Sequence, residues 1–155
     1  MSPPFDDLLL IKHIENLLKS YLRWTGRELI PPASSSHERA KVLFDQRLVV
    51  LSHGTQADPI LNYGNKAALD LWELTWEEFT KMPSRLTAEP VNREDRNRLL
   101  EQVRRNGFID TYSGVRITGG GRRFLIERGT VWNIMDEKNR YVGQAATFSE
   151  WKYIA

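Results

Sequence analysis

FIDTYSGVRIT (108–118), RRFLIERGTVWNIM (122–135) and YVGQAATFSEW (141–151) are three runs rich in β-branched and aromatic residues. Gly119-Gly120-Gly121 and the turn residues Asp136 to Asn139 lie between them. Runs of this kind bounded by Gly-rich or Asp/Asn-rich connectors read as strands. Connectors this short join neighbouring strands antiparallel, so the C-terminal third is a meander. Upstream, Leu48 to Ser52, ended by His53-Gly54, and Ile60 to Gly64 read as two further short strands.

Between and before these strands the period is helical. Asn65 sits where its side chain caps a helix from Lys66 to Glu73, whose apolar face is Ala67, Ala68, Leu71 and Trp72. Thr75 with Glu78 three residues on is a capping box for a short helix through Phe79. After an irregular stretch between Pro83 and Pro90, Asn92 precedes Arg93-Glu94-Asp95, placing acids in the first turn of a helix. Leu99, Leu100 and Val103 form its buried side, and Asn106-Gly107 stop it. Ser35 and Glu38 open another helix through about Asp45. Helices, two strands, central helices and three strands follow one another in groups. That order predicts an α+β fold, a five-stranded antiparallel sheet with helices on one face.

The chain begins with an amphipathic helix from Asp6 to Trp24, capped by Asp6 or Asp7 and stopped by Gly26 and Pro31-Pro32. Its stripe Leu10, Ile14, Leu17, Tyr21 and Trp24 steps by four and three, the spacing of a coiled coil over barely two heptads. Such a stripe packs on its own domain or on a second copy, and the expectation is a homodimer through these five residues. Residues 1–35 are read as this helix with a Pro/Ser linker, and residues 36–155 as the domain proper.

Composition narrows the function. Lys plus Arg total 22 against 20 Asp plus Glu, a net +2 that does not by itself point to nucleic acid. The arginines between Arg93 and Arg105 are interleaved with Glu94, Asp95 and Glu101, a solvated helix surface rather than a basic stripe. No cysteine is present, which removes thiolate metal sites and thiol chemistry together. No run approaches the ~18 apolar residues of a membrane span, and the start lacks signal-peptide features. The expectation is a soluble, cytoplasmic protein. His13, His37 and His53 have no metal-ligand spacing. Ser52 and His53 are neighbours in a strand and point to opposite faces, so they cannot act as nucleophile and base. No catalytic constellation emerges, and the chain is not expected to be an enzyme.

The informative groups are arginines inside strand patterns. Alternation from Phe124 through Ile126, Arg128, Thr130 and Trp132 puts Arg128 with large apolar residues, and Tyr112, Arg116 and Thr118 share one side of the preceding strand. Facing the helices, Arg116 and Arg128 would need an anionic ligand or an internal acid such as Glu89. A one-residue slip would turn them to water. Trp72, Trp76 and Trp132 read as core, Trp72 and Trp132 also as walls of such a site.

With these residues the layout resembles a PAS domain. Residues 60–69 (ILNYGNKAAL) are similar to its second strand and asparagine-capped helix, Asn92 to Arg96 resembles the "hPEDR" start of its long helix, and Asp136 to Gly143 resembles the turn into its last strand. More narrowly, LSHG (51–54), PILNYG (59–64) and PSRLTAEP (83–90) resemble the MEKHLA subgroup. That subgroup occurs as standalone bacterial and cyanobacterial proteins, the type this chain resembles, and at the C-terminus of plant homeodomain–leucine-zipper transcription factors. The resemblance implies a sensory or interaction module, binding a small organic ligand between sheet and helices or pairing with partners. It also adds Asn62 and Arg85 as ligand-binding candidates. A flavin-photoadduct PAS domain needs a pocket cysteine and a haem PAS domain usually a histidine on the long helix. Residues 92–106 contain no histidine, so neither cofactor is expected.

Overall fold

The computed structural model describes residues 3–155. Its elements are α1 (Leu8–Thr25), α2 (Ser36–Asp45), β1 (Val49–His53), β2 (Leu61–Gly64), α3 (Lys66–Trp72), α4 (Trp76–Phe79), a 3-10 turn (Ser84–Thr87), α5 (Pro90–Asn106), β3 (Phe108–Ile117), β4 (Arg123–Met135), β5 (Tyr141–Phe148) and β6 (Glu150–Ile154). The caps lie where the sequence places them. Asp7 accepts from Leu9 N at 2.9 Å, Ser35 from Glu38 N at 3.1 Å, and both halves of the Thr75/Glu78 box are made. Asn65 is fully buried. Its Oδ1 accepts from Ala68 N (3.1 Å) and Val50 N (3.0 Å) and its Nδ2 donates to Leu48 O (2.8 Å), so one side chain caps α3 and fixes it to β1. One boundary differs. α5 starts at Pro90, whose fixed φ and missing N–H suit a first helical position, so Glu94 and Asp95 lie beyond the first turn.

The strands form an antiparallel sheet in the order β2-β1-β5-β4-β3, with β6 also paired to β4. A sixth strand was not expected. It continues the lane of β5 in one register, since Thr130 pairs Thr147 and Glu127 pairs Glu150. The interruption is at Arg128, whose φ of 52° is rare for a residue with a side chain. Beside it, Gly129 leaves room for the Tyr112 ring, where a Cβ would lie 2.7 Å from Tyr112 Cδ2.

This kink reverses the alternation of β4. Before it, Phe124 packs on Trp72 of α3; beyond it, Asn133 faces α5 and donates to Val103 O at 3.0 Å. Two sequence expectations fail for this reason. Arg128 is turned out to solvent, and Trp132 points to the opposite face.

The central helices α3, α4 and α5 cover one face, the inner, as expected, and the N-terminal helix α1 covers the other, the outer. The α1 stripe is spent within the chain. Leu10, Ile14, Leu17 and Tyr21 are buried in the core, Trp132 Nε1 donates to Leu17 O at 3.2 Å, and half-buried Trp24 donates to Asn133 O at 2.9 Å. Each fully buried aliphatic side chain here contributes about 1.5–3 kcal/mol. The five residues expected at a dimer interface thus form no free face. α1 shares one core with the sheet, so the division at residue 35 marks a chain turn between α1 and α2.

Candidate functional site

α5 is fastened to the inner face at its C-terminal half. Gln144 Nε2 donates to Leu100 O (2.8 Å) and Asn133 Nδ2 to Val103 O and Arg104 O (3.0 and 3.2 Å). Towards the N-terminal half the layers part around a cavity of about 60 Å3, with apolar walls that include Leu61, Leu100, Val131 and Phe148. Into it come His53 from β1, Trp72 from α3, Arg96 from α5, and Tyr112 and Arg116 from β3. A groove of about 430 Å3 runs outside it between α5 and β3, lined by Asn92, Gln102, Thr111 and Ser113. Arg96, Leu99, Tyr112 and Arg116 border both spaces and form the partition.

Two guanidinium groups in that partition are buried without a counter-charge. Arg96 is 8% exposed and donates from Nη2 to Ser84 Oγ at 2.8 Å. Arg116 is 7% exposed, donates to Val115 O at 2.7 Å and lies 5.4 Å from the Tyr112 ring centroid. Among the described residues neither lies within 4.0 Å of a carboxylate. Glu89, the internal acid considered from sequence, pairs instead with exposed Arg123 at 2.5 Å. Burial, reinforced by the neighbouring Arg116 charge, pulls Arg96 down to about 10. Burial raises the Tyr112 hydroxyl, the two guanidinium charges opposing the shift. Two further residues of its lining, His53 and Trp72, carry buried nitrogens that make no hydrogen bond, His53 Nε2 and Trp72 Nε1. Each such atom costs about 1–3 kcal/mol and an uncompensated buried charge more. The site is electropositive and its two guanidinium charges are uncompensated.

Of the seven ligand candidates read from sequence, the cavity brings together Trp72, Tyr112 and Arg116. The other four lie elsewhere. Exposed Arg85 pairs with Asp58 at 3.1 Å, and Asn62 accepts from Ser52 Oγ at 2.5 Å beneath α1. Arg128 and Trp132 are displaced by the β4 kink. Sequence reasoning missed Arg96 and His53. Arg96 was read with its exposed neighbours as helix surface, yet it is spaced three and seven from Leu99 and Val103, which marks it as facing the sheet. Ser52 does have a histidine partner, but it is His13 of α1 at 2.9 Å. Because Ser52 Oγ donates to Asn62 Oδ1, it accepts from His13 Nε2–H, the wrong polarity for a nucleophile and base.

Residues 11–153 match the MEKHLA domain family. Among curated proteins the chain is 24% identical over 143 residues to the Homeobox-leucine zipper protein ATHB-9 of Arabidopsis thaliana, covering 89% of this chain and 17% of that protein. It is 23% identical over 138 residues to the Homeobox-leucine zipper protein HOX10 of Oryza sativa subsp. japonica, covering 88% and 16%. The chain thus spans about one sixth of the curated relatives it matches. Among solved structures, a PAS domain from Colwellia psychrerythraea superposes with a TM-score of 0.63 at 19% identity, covering 75% of this chain and 93% of that one. The light-state dimer of the fungal blue-light photoreceptor Vivid gives 0.61 at 14% identity, covering 96% and 97%. Among the described residues no helix is long and apolar enough to cross a membrane. With residues 11–153 of its 155 matched by the family and its fold superposing on a PAS domain, this chain belongs to the MEKHLA domain family.

Proposed function

We propose that the domain is a sensory module that binds a small organic anion between sheet and α5 through Arg96 and Arg116, and binds it without transforming it. One observation carries this reading: two buried guanidinium groups border one cavity and no carboxylate of the described chain pairs with either. A ligand carboxylate between them would supply charge-assisted hydrogen bonds, which are about twice as strong as neutral ones. Only polar contacts with Ser84, Val115 and the Tyr112 ring hold them otherwise. The polarity of the His13–Ser52 contact supports binding over catalysis. Native against denaturing mass spectrometry on protein purified from cell extract tests the proposal. Extra mass lost on denaturation is expected for the wild type and not for the Arg96→Met/Arg116→Met variant; equal masses for both proteins overturn it.

A second reading, a ligand-free dimerisation module, draws on a different observation. Trp151, Tyr153 and Ile154 of β6 are 37–40% exposed on a strand that pairs only with β4 among the described residues. A second copy pairing there would give a dimer mass that Trp151→Glu reduces to a monomer. A dimer unaffected by that change counts against this surface.

A further inference from the structure

The two spaces that meet at Arg96 and Arg116 differ in what they offer a ligand. Both guanidinium groups border the cavity on one side and the groove on the other, so a carboxylate bound to them sits at the boundary and the rest of the ligand lies in one space or the other. The Tyr112 phenol stands at the same boundary, close enough for both charges to act on it. Asn92, Asp95, Gln102, Thr111 and Ser113 line the groove, a polar surface with a carboxylate of its own. Leu61, Leu100, Ile126, Val131, Ala146 and Phe148 line the cavity.

The polar residues of the cavity wall are spent on the protein itself. Gln144 Nε2 donates to Leu100 O at 2.8 Å, Thr87 Oγ1 donates to Ser84 O at 2.7 Å, Ser84 Oγ accepts from Arg96 and Ser52 Oγ donates to Asn62. His53 bonds Gly54 O through Nδ1 at 2.9 Å and has the Gln144 side chain as a second neighbour. His53 Nε2 and Trp72 Nε1 are buried within the wall, out of a ligand's reach. The arginines do have donors left over, since a guanidinium carries five N–H groups and each of these two bonds a protein oxygen through a single nitrogen. Beyond those donors the cavity presents apolar surface, which favours an apolar tail and penalises a hydroxyl left without a partner. Size sets the length of that tail. At ~10–15 Å3 per water-sized group, a space of about 60 Å3 holds roughly four to six such groups, the carbons of a short aliphatic chain.

We infer that the ligand is a short aliphatic carboxylate, its carboxylate held at the boundary by Arg96 and Arg116 and its tail of about four to six carbons lying inside the cavity. This rests on the anion-binding reading above. Isothermal titration calorimetry on the full chain, with the sodium salts of straight-chain acids from acetate to nonanoate at matched ionic strength, tests it. Affinity is expected to rise about fourfold per methylene as far as pentanoate to heptanoate and to fall at least tenfold by nonanoate. Affinity that keeps rising through nonanoate puts the tail in the groove, and affinity independent of length denies it a site; either result overturns the tail assignment and leaves the anion reading standing. No binding by any acid of the series overturns the inference too, and the mass-spectrometric comparison above then decides the anion reading by itself. Ala146→Val adds two carbons to the cavity wall and is expected to shorten the preferred acid by about two carbons; an unmoved optimum overturns the placement. Should Ala146→Val not fold, isobutyrate against lactate on the wild type gives the same answer. Isobutyrate carries a methyl where lactate has its hydroxyl and is expected to bind at least tenfold tighter; equal affinities overturn the apolar tail.

Discussion

Trp132 on the outer face of the sheet and Trp72 on the inner are equally buried, at 0% and 1% exposure, and differ in one bond. Trp132 Nε1 donates to the Leu17 carbonyl of α1 and its ring packs edge-on against Tyr21 at 4.8 Å; Trp72 Nε1 has no partner. The histidines repeat the contrast. His13 closes a chain through Ser52 to Asn62, while His53 is bonded at one nitrogen and idle at the other. Burial alone does not separate a finished core from a binding site; completeness of hydrogen bonding does. On the outer face each of these polar atoms is matched by α1. On the inner face two guanidinium groups without a counter-charge border one space, and Trp72 and His53, which also line it, each carry a buried nitrogen that makes no geometric hydrogen bond.

Substitutions on the outer face therefore act on stability, the largest effect in this account. Trp132→Ala removes a fully buried ring and is expected to cost about 3–5 kcal/mol in urea unfolding. A loss under about 1 kcal/mol would mean that α1 is only loosely laid on the sheet.

The histidine contrast predicts a pH dependence of similar size. Burial lowers His13 from its ordinary 6.5 to about 4. The unfolded chain takes up the proton first, so stability is at its full value above pH 6.5 and falls as the pH drops towards 4. With about 1.4 kcal/mol per pH unit, His13 alone accounts for about 3 kcal/mol over that window. His53, also lowered by burial with the Arg96 charge adding, acts in the same sense. Urea unfolding from pH 7 to pH 4 should show the decline in the wild type and a shallower one in His13→Gln. Identical slopes would remove His13 from the buried set.

The smallest effect is expected at Arg85, which the sequence grouped with the ligand residues and the fold places outside the cavity. Its pair with Asp58 is half exposed and bonds of that kind contribute less than about 1 kcal/mol. Arg85→Ala should leave both the unfolding midpoint and carboxylate binding nearly unchanged. Loss of carboxylate binding would extend the site beyond the cavity.

The fold was legible because local chemistry and global order agree. Asn65, Ser35 and Thr75 cap where their spacing says they should, and the grouping of helices and strands gives the sheet. The site was half legible, and the reason lies in β4. Strand parity is readable only while alternation is unbroken, and Arg128 in the left-handed region breaks it, a conformation that an Arg-Gly pair does not announce. Arg116 of β3, opposite Phe124 before the kink, fell on the expected face, as did Tyr112 opposite Gly129. Trp132, beyond it, fell on the other. Arg96 was hidden differently, one buried guanidinium among exposed ones on the same helix, separable by its phase relative to Leu99 and Val103. The α1 stripe could not choose between partners from its own spacing. The outer face of the sheet, with Trp132 at its centre, decides that it packs within the chain.

Whether the inner face is left unsatisfied for an anion is decided by thermal unfolding of the wild type and of Arg116→Met, with and without lactate as the carboxylate, at fixed ionic strength set by chloride. At a hundred times Kd a ligand that binds only the folded state adds about 2.7 kcal/mol, roughly 5–10 °C for a domain of this size. A rise of that order is expected in the wild type and none in Arg116→Met, whose ligand-free form should be no less stable because one of two adjacent buried charges has gone. No lactate-dependent rise in the wild type, or an equal rise in the variant, would contradict it.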